Sequence, residues 1–475
     1  MLDVKDTNNT LLKEAQNQAV FIEKHYSKQR SELVRNEDFF NGDQEQYIPR
    51  VGAETKSQWN EREKLIINFT RPIIEKKASI YEGHATRTIV DNETLNTLME
   101  GVWKDKHGTF QKIDLQAELA GFSCVKIYYE EVTDTIYYKP ISAQYVFPLV
   151  DEETGRVLAI CLRWEKWIRV GNKEKKVIYD QIWTDTEYQE YEDNKSLGEP
   201  TEHLYGCLPF VFFFASERDR EFYSPPASND TVKQNQQINV MLSDLRHVCR
   251  YQSFSILKIT NCEFDAKGRV KIDKVDVGPS KMVGLGKGQE MDYIAPTAAI
   301  DELFSICKFL IDKIFETSQV PAVAVSPSLS SASGVSLEIQ WYPLSNYLLK
   351  KRSSYRGSEM ELCNKTIIVW EHQHGRGGNE IPEYQFTIDF DEKQVPTSEE
   401  QQRETDKFEI ELGIETAVDI LMRINPDLDE EGAEKLIREN LELTRNLFAI
   451  RTDLSPEETL ALENKIKSAF VEEGE

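Results

Sequence analysis

The residues that could do chemistry are a glycine-rich turn, scattered carboxylates and two neighbouring histidines. Gly284-Leu285-Gly286-Lys287-Gly288 invites a phosphate-cradling reading. That pattern needs a first glycine five positions before Gly286 and a hydroxyl after the lysine, to hold magnesium. Lys281 and Gly288 stand at those places, so a β-turn is the expectation. Asp389 and Asp391 could chelate magnesium as a nuclease would, although paired carboxylates arise by chance in so acidic a chain. His372 and His374 have only Glu371 beside them, short of a metal-ligand set. No nucleophile elbow, zinc-protease helix or kinase signature is present. The reading is a protein with no catalytic constellation, no metal and no cofactor.

What stands out instead is mechanical. An apolar helix is expected over Ile300 to about Thr317, ending at Val320-Pro321. A small-residue loop without Arg or Lys follows, Ser326-Pro327-Ser328-Leu329-Ser330-Ser331-Ala332-Ser333, which suits mobility more than phosphate binding. A long helix should then run from Val335 to about Gln373, with Pro343 inside it to remove a hydrogen bond and kink it. Upstream, Ser228-Asn229-Asp230 caps a helix reaching about Tyr251. Residues 254–296 read as a small β-rich insertion, so helix, insertion and helix form a hairpin. Its apolar positions include Ile238, Leu242, Leu245, Leu303, Phe304, Leu310 and Ile314, spread over more than one face. A helix apolar beyond one stripe packs against several neighbours. Those neighbours belong either to other subunits, in a ring, or to the same chain in a monomer, and the pattern leaves both open.

The elements around the hairpin are mixed. Thr10 to about Phe40 reads as one polar helix stopped at Asn41-Gly42-Asp43. Further helices are expected over about 70–81, with Pro72 in the first turn, and over 92–103 and 110–120. Residues 121–215 read as one meandering antiparallel sheet, and Tyr384–Phe390 alternates as a strand. A helical segment runs from Thr397 to the end. The 475 residues imply two or three folding units. The net charge is −25, and residues 397–475, with 22 acidic and 9 basic side chains, carry −13 of it. Such a surface argues against a broad grip on nucleic acid but not against letting it slide past. Seven widely spaced cysteines point to reduced, mostly buried thiols. Met1–Val20 is too polar for a secretory leader, and the longest apolar run, Leu208–Ala215, is too short to span a bilayer. A soluble intracellular protein is expected.

The order of several short motifs resembles the portal proteins of tailed bacteriophages, in the branch typified by phages of Gram-positive bacteria. Phe39-Phe40-Asn41-Gly42, the stretch Leu65-Ile66-Ile67-Asn68-Phe69-Thr70-Arg71-Pro72 leading to Tyr81-Glu82-Gly83, and Glu118-Leu119-Ala120-Gly121 before the Cys124–Tyr129 strand are similar to that family's N-terminal segments. Ile141–Pro148 with Asp151 looks like its wing sheet. Leu208-Pro209-Phe210-Val211 and Gln237–Asp244 resemble its approach to the stem. Thr317–Pro321 followed by Ser333-Gly334-Val335-Ser336-Leu337 resembles the step carrying the tunnel loop. Phe222-Tyr223-Ser224-Pro225 replaces the family's frequent Gly-Arg-Ser, and Ser336 its usual alanine.

The resemblance implies an α+β portal fold. Residues 1–225 would be the wing, 226–252 and 298–320 the two stem helices, and 253–297 a β-rich clip. Residues 321–334 would carry the tunnel loop, with Ser326–Ser333 facing DNA. Residues 335–396 would hold the long kinked helix and a wing strand, and 397–475 an acidic helical crown. It further implies a homo-oligomeric ring, twelve-fold in virions, at one capsid vertex, assembled in the host cytoplasm. Genome DNA would pass through it in both directions without sequence-specific contact. Partners would be the terminase large subunit, major capsid and scaffolding proteins and a head-tail adaptor, with Arg269, Lys271, Lys274, Lys281 and Lys287 as docking cations of the clip. No membrane is involved. Two other functions compete: an acidic scaffold without a channel, and a magnesium nuclease using Asp389, Asp391 or C-terminal carboxylates.

Overall fold

The computed structural model describes residues 4–50, 55–90, 92–104, 106–170, 173–203, 205–216, 222, 225–252, 256–260, 290–294, 300–325, 334–375, 384–390, 399–425 and 428–450. In chain order come helices α1 (Val4–His25), α2 (Ser27–Asn41), α3 (Lys56–Glu61) and α4 (Thr70–Lys77), strand β1 (Ala85–Ile89), then α5 (Glu93–Trp103) and α6 (His107–Ala120). Strands follow: β2 (Phe122–Glu130), β3 (Thr135–Ile141), β4 (Val146–Val150), β5 (Val157–Val170), β6 (Lys173–Trp183), β7 (Glu187–Glu192), β8 (Lys195–Ser196), β9 (Thr201–Glu202) and β10 (Phe210–Phe214). After α7 (Ser228–Gln252) come β11 (Ile256–Thr260), β12 (Glu290–Ile294), α8 (Ile300–Ser318), α9 (Ala322–Val325), α10 (Gly334–Gln373), β13 (Phe386–Phe390), α11 (Glu399–Glu411), α12 (Ala417–Ile424) and α13 (Glu430–Ile450). The fold is α+β, and the strand pairs are antiparallel.

Two compact units are present: residues 1–331 with 340–393, and residues 332–339 with 394–475. In the second, Thr416 caps α12 through reciprocal hydrogen bonds with Asp419, and Arg423 holds Asp406 and Glu415. Such a box satisfies donors that the first helical turn leaves unpaired.

The first unit is built around a sheet apolar on both faces. The run Val157–Leu162 alternates within itself. Ala159 and Cys161 face α1, joined by Phe147 and Ile182, while Ile160 and Leu162 face a second cluster with Phe122, Cys124, Val146, Trp183 and Phe210. A helix covers such a sheet by repeating apolar residues every three or four positions. In α1 these are Leu12, Ala15, Ala19 and Ile22, all fully buried.

Three sequence expectations need correction. The single helix over Thr10–Phe40 is two, because Tyr26 leaves helical backbone space (φ −108°, ψ 23°). The bend lets α1 lie on the sheet while α2 packs on α4, α6 and α7. Its stop is as expected: Gly42 takes φ +98°, and the Gly42 and Asp43 amides both return to the Asp38 carbonyl. The single meander is two sheets. Strand β10 returns to β2 to give the order β10-β2-β3, while β4 to β9 form the other. Pro140 in β3 and Pro148 in β4 sit on the terminal strands of those sheets, where a missing N–H costs no ladder bond. Finally, Ala85–Ile89, not read as a strand, pairs with β13 about three hundred residues on.

A buried charge cluster locks the long helix to the N-terminal helices. The Lys351 side chain of α10 is fully buried, and its ammonium lies 2.8 Å from Asp114 Oδ1 and 2.9 Å from Glu118 Oε2, both on α6. It also donates to the Lys77 carbonyl at 3.0 Å. Lys77 Nζ pairs with Glu118 Oε1 at 3.0 Å. Tyr347 donates to Glu118 and Tyr355 to Asp114. One turn further, Glu359 takes a two-pronged contact from Arg87 of β1, at 2.7 and 2.8 Å, and a bond from Tyr81. Burial raises the Asp114 carboxyl above its ordinary value, against the pull of Lys351. Glu118 is equally buried, but two lysines overcome that penalty and hold it at about 2.

Removing one member of such a cluster strands the others. Lys351→Met should lower unfolding stability by about 3–5 kcal/mol in equilibrium denaturation; an unchanged midpoint would contradict the role given to Lys351. Because the folded Glu118 value is depressed, its stabilisation is complete above 4.5 and is lost as pH falls towards about 2. Glu118→Gln should therefore flatten the acid limb of the stability profile in that window.

Candidate assembly interface

The hairpin expected from the sequence begins on α7, one of whose faces is polar and buried. Asn235, Asn239 and Ser243 recur every four residues and are buried. They meet the segment Leu65–Phe69, which joins no sheet, and the first residue of α4. The Leu65 amide donates to Ser243 Oγ, the Ile67 amide to Asn239 Oδ1, and the Phe69 and Thr70 amides to Asn235 Oδ1, each at 3.0 Å. Asn235 Nδ2 donates back to the Ile67 carbonyl at 2.8 Å. The repeat distances explain the fit: four helical residues rise about 6 Å and two extended residues about 6.6 Å. Arg62 with Asp244 and Arg246 with Glu63 continue the seam. At the start of α7, Ser228 donates to the Leu119 carbonyl at 2.7 Å, and Asn36 donates to Ser228 and Asn229.

Helix α8 returns along α7. Thr317, at its end, donates to Gln234, near the start of α7, at 2.8 Å, and β11 pairs with β12 at the opposite end. Phe315 meets Phe69 edge to face, with centroids 6.0 Å apart. The expected stripe divides. Ile238 and Ile314 are buried within the chain; Leu242, Leu245, Leu303 and Leu310 are half-buried. Phe304, however, is 62% exposed, with Ile306 at 44% and Phe309 at 56% beside it. Helical phasing puts Phe304 on one flank of the covered Cys307 and Ile314 stripe and Ile306 and Phe309 on the other, so apolar side chains lie uncovered on both flanks of α8.

Beyond α8, Gln319 takes φ +61° and Val320 is buried. Pro343 lies inside a continuous α10 and helps line a cavity of about 260 Å³ with Phe315, Val320 and Pro321. The loop Ser326–Ser333 and the cations Arg269, Lys271, Lys274, Lys281 and Lys287 lie outside the described residues.

The chemically suggestive residues do not converge. His374 leans towards Asp134 at 3.1 Å, whereas His372 packs against Tyr205. Asp389 is on the exposed face of β13, and Asp391 is outside the described residues. Among the described residues, no group of three or more His, Cys, Asp or Glu could hold a metal, and no helix is long and apolar enough to cross a membrane. Cys124, Cys161, Cys207, Cys307 and Cys363 are buried thiols. The sequence reading missed the Asn235, Asn239 and Ser243 seam. Its signal was a polar four-residue repeat on a helix that also carries an apolar stripe.

A family model described as "Phage portal protein, SPP1 Gp6-like" matches residues 20–407. No curated protein matches the chain. Among solved structures, one titled "Neck of empty GTA particle computed with C6 symmetry" is similar at 10% identity, over 72% of this chain and 85% of that one. Its TM-score is 0.41, and a likeness of that size carries no argument.

Asn235→Leu would leave the Phe69 and Thr70 amides and the Ile67 carbonyl without their partner. About 1–3 kcal/mol per stranded buried group is expected. Hydrogen exchange at residues 65–70 should speed up at least tenfold in this variant, and unchanged protection there would show that the seam is not what holds the segment.

Proposed function

The chain belongs to the SPP1 Gp6-like family of phage portal proteins, and from that premise we propose that it assembles into a ring at one capsid vertex through which the genome is packaged and ejected. The observation that carries the ring is the exposed Phe304, Ile306 and Phe309 of α8, which flank its covered stripe on both sides, on a hairpin whose α7 is fixed to its own chain. Burying one such side chain stabilises by about 1.5–3 kcal/mol, and each copy in a ring repeats the contact. In this reading residues 226–252 and 298–320 are the stem, and 253–297 the clip that docks the terminase large subunit and later a head-tail adaptor. Residues 326–333 face the DNA, Pro343 bends the long helix away from the axis, and residues 397–475 form the crown. Capsid and scaffolding proteins surround the ring.

The charge supports a conduit. A net −25 repels phosphates, so passing duplex meets few cationic sites to cling to. Hydrolysis of ATP would fall to the docked motor.

Native mass measurement and electron microscopy test the ring. The natural protein should give closed rings of about a dozen copies with an open channel. Phe304→Asp with Phe309→Asp should give mostly monomer, because a charge buried without a partner is costly. Normal rings from that variant would refute the stem assignment, and rings without a channel would favour a scaffold. Deleting Ser326–Ser333 should spare the ring and cut packaged DNA; full packaging would remove the loop's role.

A further inference from the structure

A cleft of about 1080 Å³ opens between the β2–β3 ribbon and the β5–β6 pair, with Glu23 and Arg30 also on its wall. Lys126 and Lys139 line it and are direct cross-strand partners. Like charges in that position repel. Among the described residues, neither has a carboxylate within ion-pairing distance, and the Lys126 ammonium rests 3.9 Å above the Trp183 ring. Burial, and then the Lys139 charge, push Lys126 down to about 8. Other charges on the wall are already matched. Arg163 is held by Asp180 and Glu23, Glu165 by Lys176, and the Arg30 guanidinium lies over Phe147 at 4.4 Å. An acidic chain thus keeps two like cations side by side in this cleft, with the Glu190 charge the one acidic influence felt by Lys126.

The remaining lining is apolar and open. Tyr128 and Tyr145 are each about two-fifths exposed, and Trp164 stands on the β5 side. A lone anion would use the lysines and leave this surface wet. The volume is at the upper end of what small-molecule pockets offer. An extended peptide alternates its side chains between two faces, with residues two apart lying about 6.6–7 Å from each other. In such a cleft, one face would meet the lysines and the other the aromatic and aliphatic wall.

We propose that this cleft is a docking site for an acidic peptide segment of a partner protein, bound extended, with carboxylates on Lys126 and Lys139 and alternate apolar side chains against Trp164. The site is separate from the stem and stands whether or not the chain forms a ring.

The probe is a fluorescein-labelled hexapeptide of alternating glutamate and leucine, titrated into the full-length assembled protein and followed by anisotropy. Micromolar binding that weakens with salt is expected, with a lysine–leucine peptide showing none. Lys126→Gln with Lys139→Gln should weaken binding at least tenfold while native mass and thermal unfolding stay unchanged. Should the double variant misfold, Lys139→Glu alone, at an exposed position, should still weaken binding severalfold. Failure of the acidic peptide to bind, equal binding to a folded variant, or full displacement by millimolar inorganic phosphate would each overturn the proposal.

Discussion

A lysine with no exposed surface dictates much of the first unit. Lys351 cannot keep its charge in the interior unless anions come to it, and Asp114 and Glu118 cannot keep theirs without a cation. The solution draws α10 onto α6 and brings in Lys77, whose own carbonyl and ammonium both join. Glu359 repeats the device with Arg87, and through it β1 is placed to receive β13. A cluster of this kind is no stronger than a well-packed apolar plug of the same volume. What it adds is register. An apolar helix slides against its neighbours at modest cost, whereas this one fits only where Lys351 lies between two carboxylates and Glu359 opposite Arg87.

The same logic, without charge, fixes the hairpin. The Asn235, Asn239 and Ser243 ladder pairs a helix with a segment that offers every second amide, and a helical and an extended repeat differ by about 0.6 Å per step. Over two steps the drift is about 1 Å, which hydrogen bonds tolerate; a ladder much longer would fall out of phase. The amides of Leu65 to Thr70 find their acceptors only there, so the helix cannot shift by a turn without orphaning several buried groups.

Local pattern made much of the fold legible. The longer strands between Phe122 and Phe214, the Gly42 stop, the helix after Ser228 and the β character at the two ends of residues 254–296 announce themselves through periodicity, caps or composition. Partnership across long separations did not. Ala85–Ile89 is an unremarkable five-residue stretch until Phe386–Phe390 lies beside it. Asp114, Glu118 and Lys351 look like ordinary helix-surface charges, because sequence periodicity shows which residues share a face but not whether that face is covered. Leu65–Phe69 read as an apolar lead-in to a helix, and nothing local said that its backbone would be satisfied by side chains from α7. For the hairpin, the excess of apolar positions was visible, but only the covered Ile238 and Ile314 against the exposed Phe304 and Phe309 show which of those positions remain free.

These two kinds of contact divide the hairpin's work. Polar, geometrically exacting bonds hold α7 to its own chain, where one arrangement must be selected and kept. Apolar, undirected surface faces outward on α8, where a neighbouring copy would have to dock, and where small rotations between copies must be tolerated if a ring is to close. Reversing the assignment would serve neither end. An Asn ladder between subunits would cost desolvation in every free monomer and demand near-perfect register before any contact formed. An apolar seam to the body would let each hairpin settle at a slightly different height, and a ring of such subunits could not present an even wall to a passing duplex.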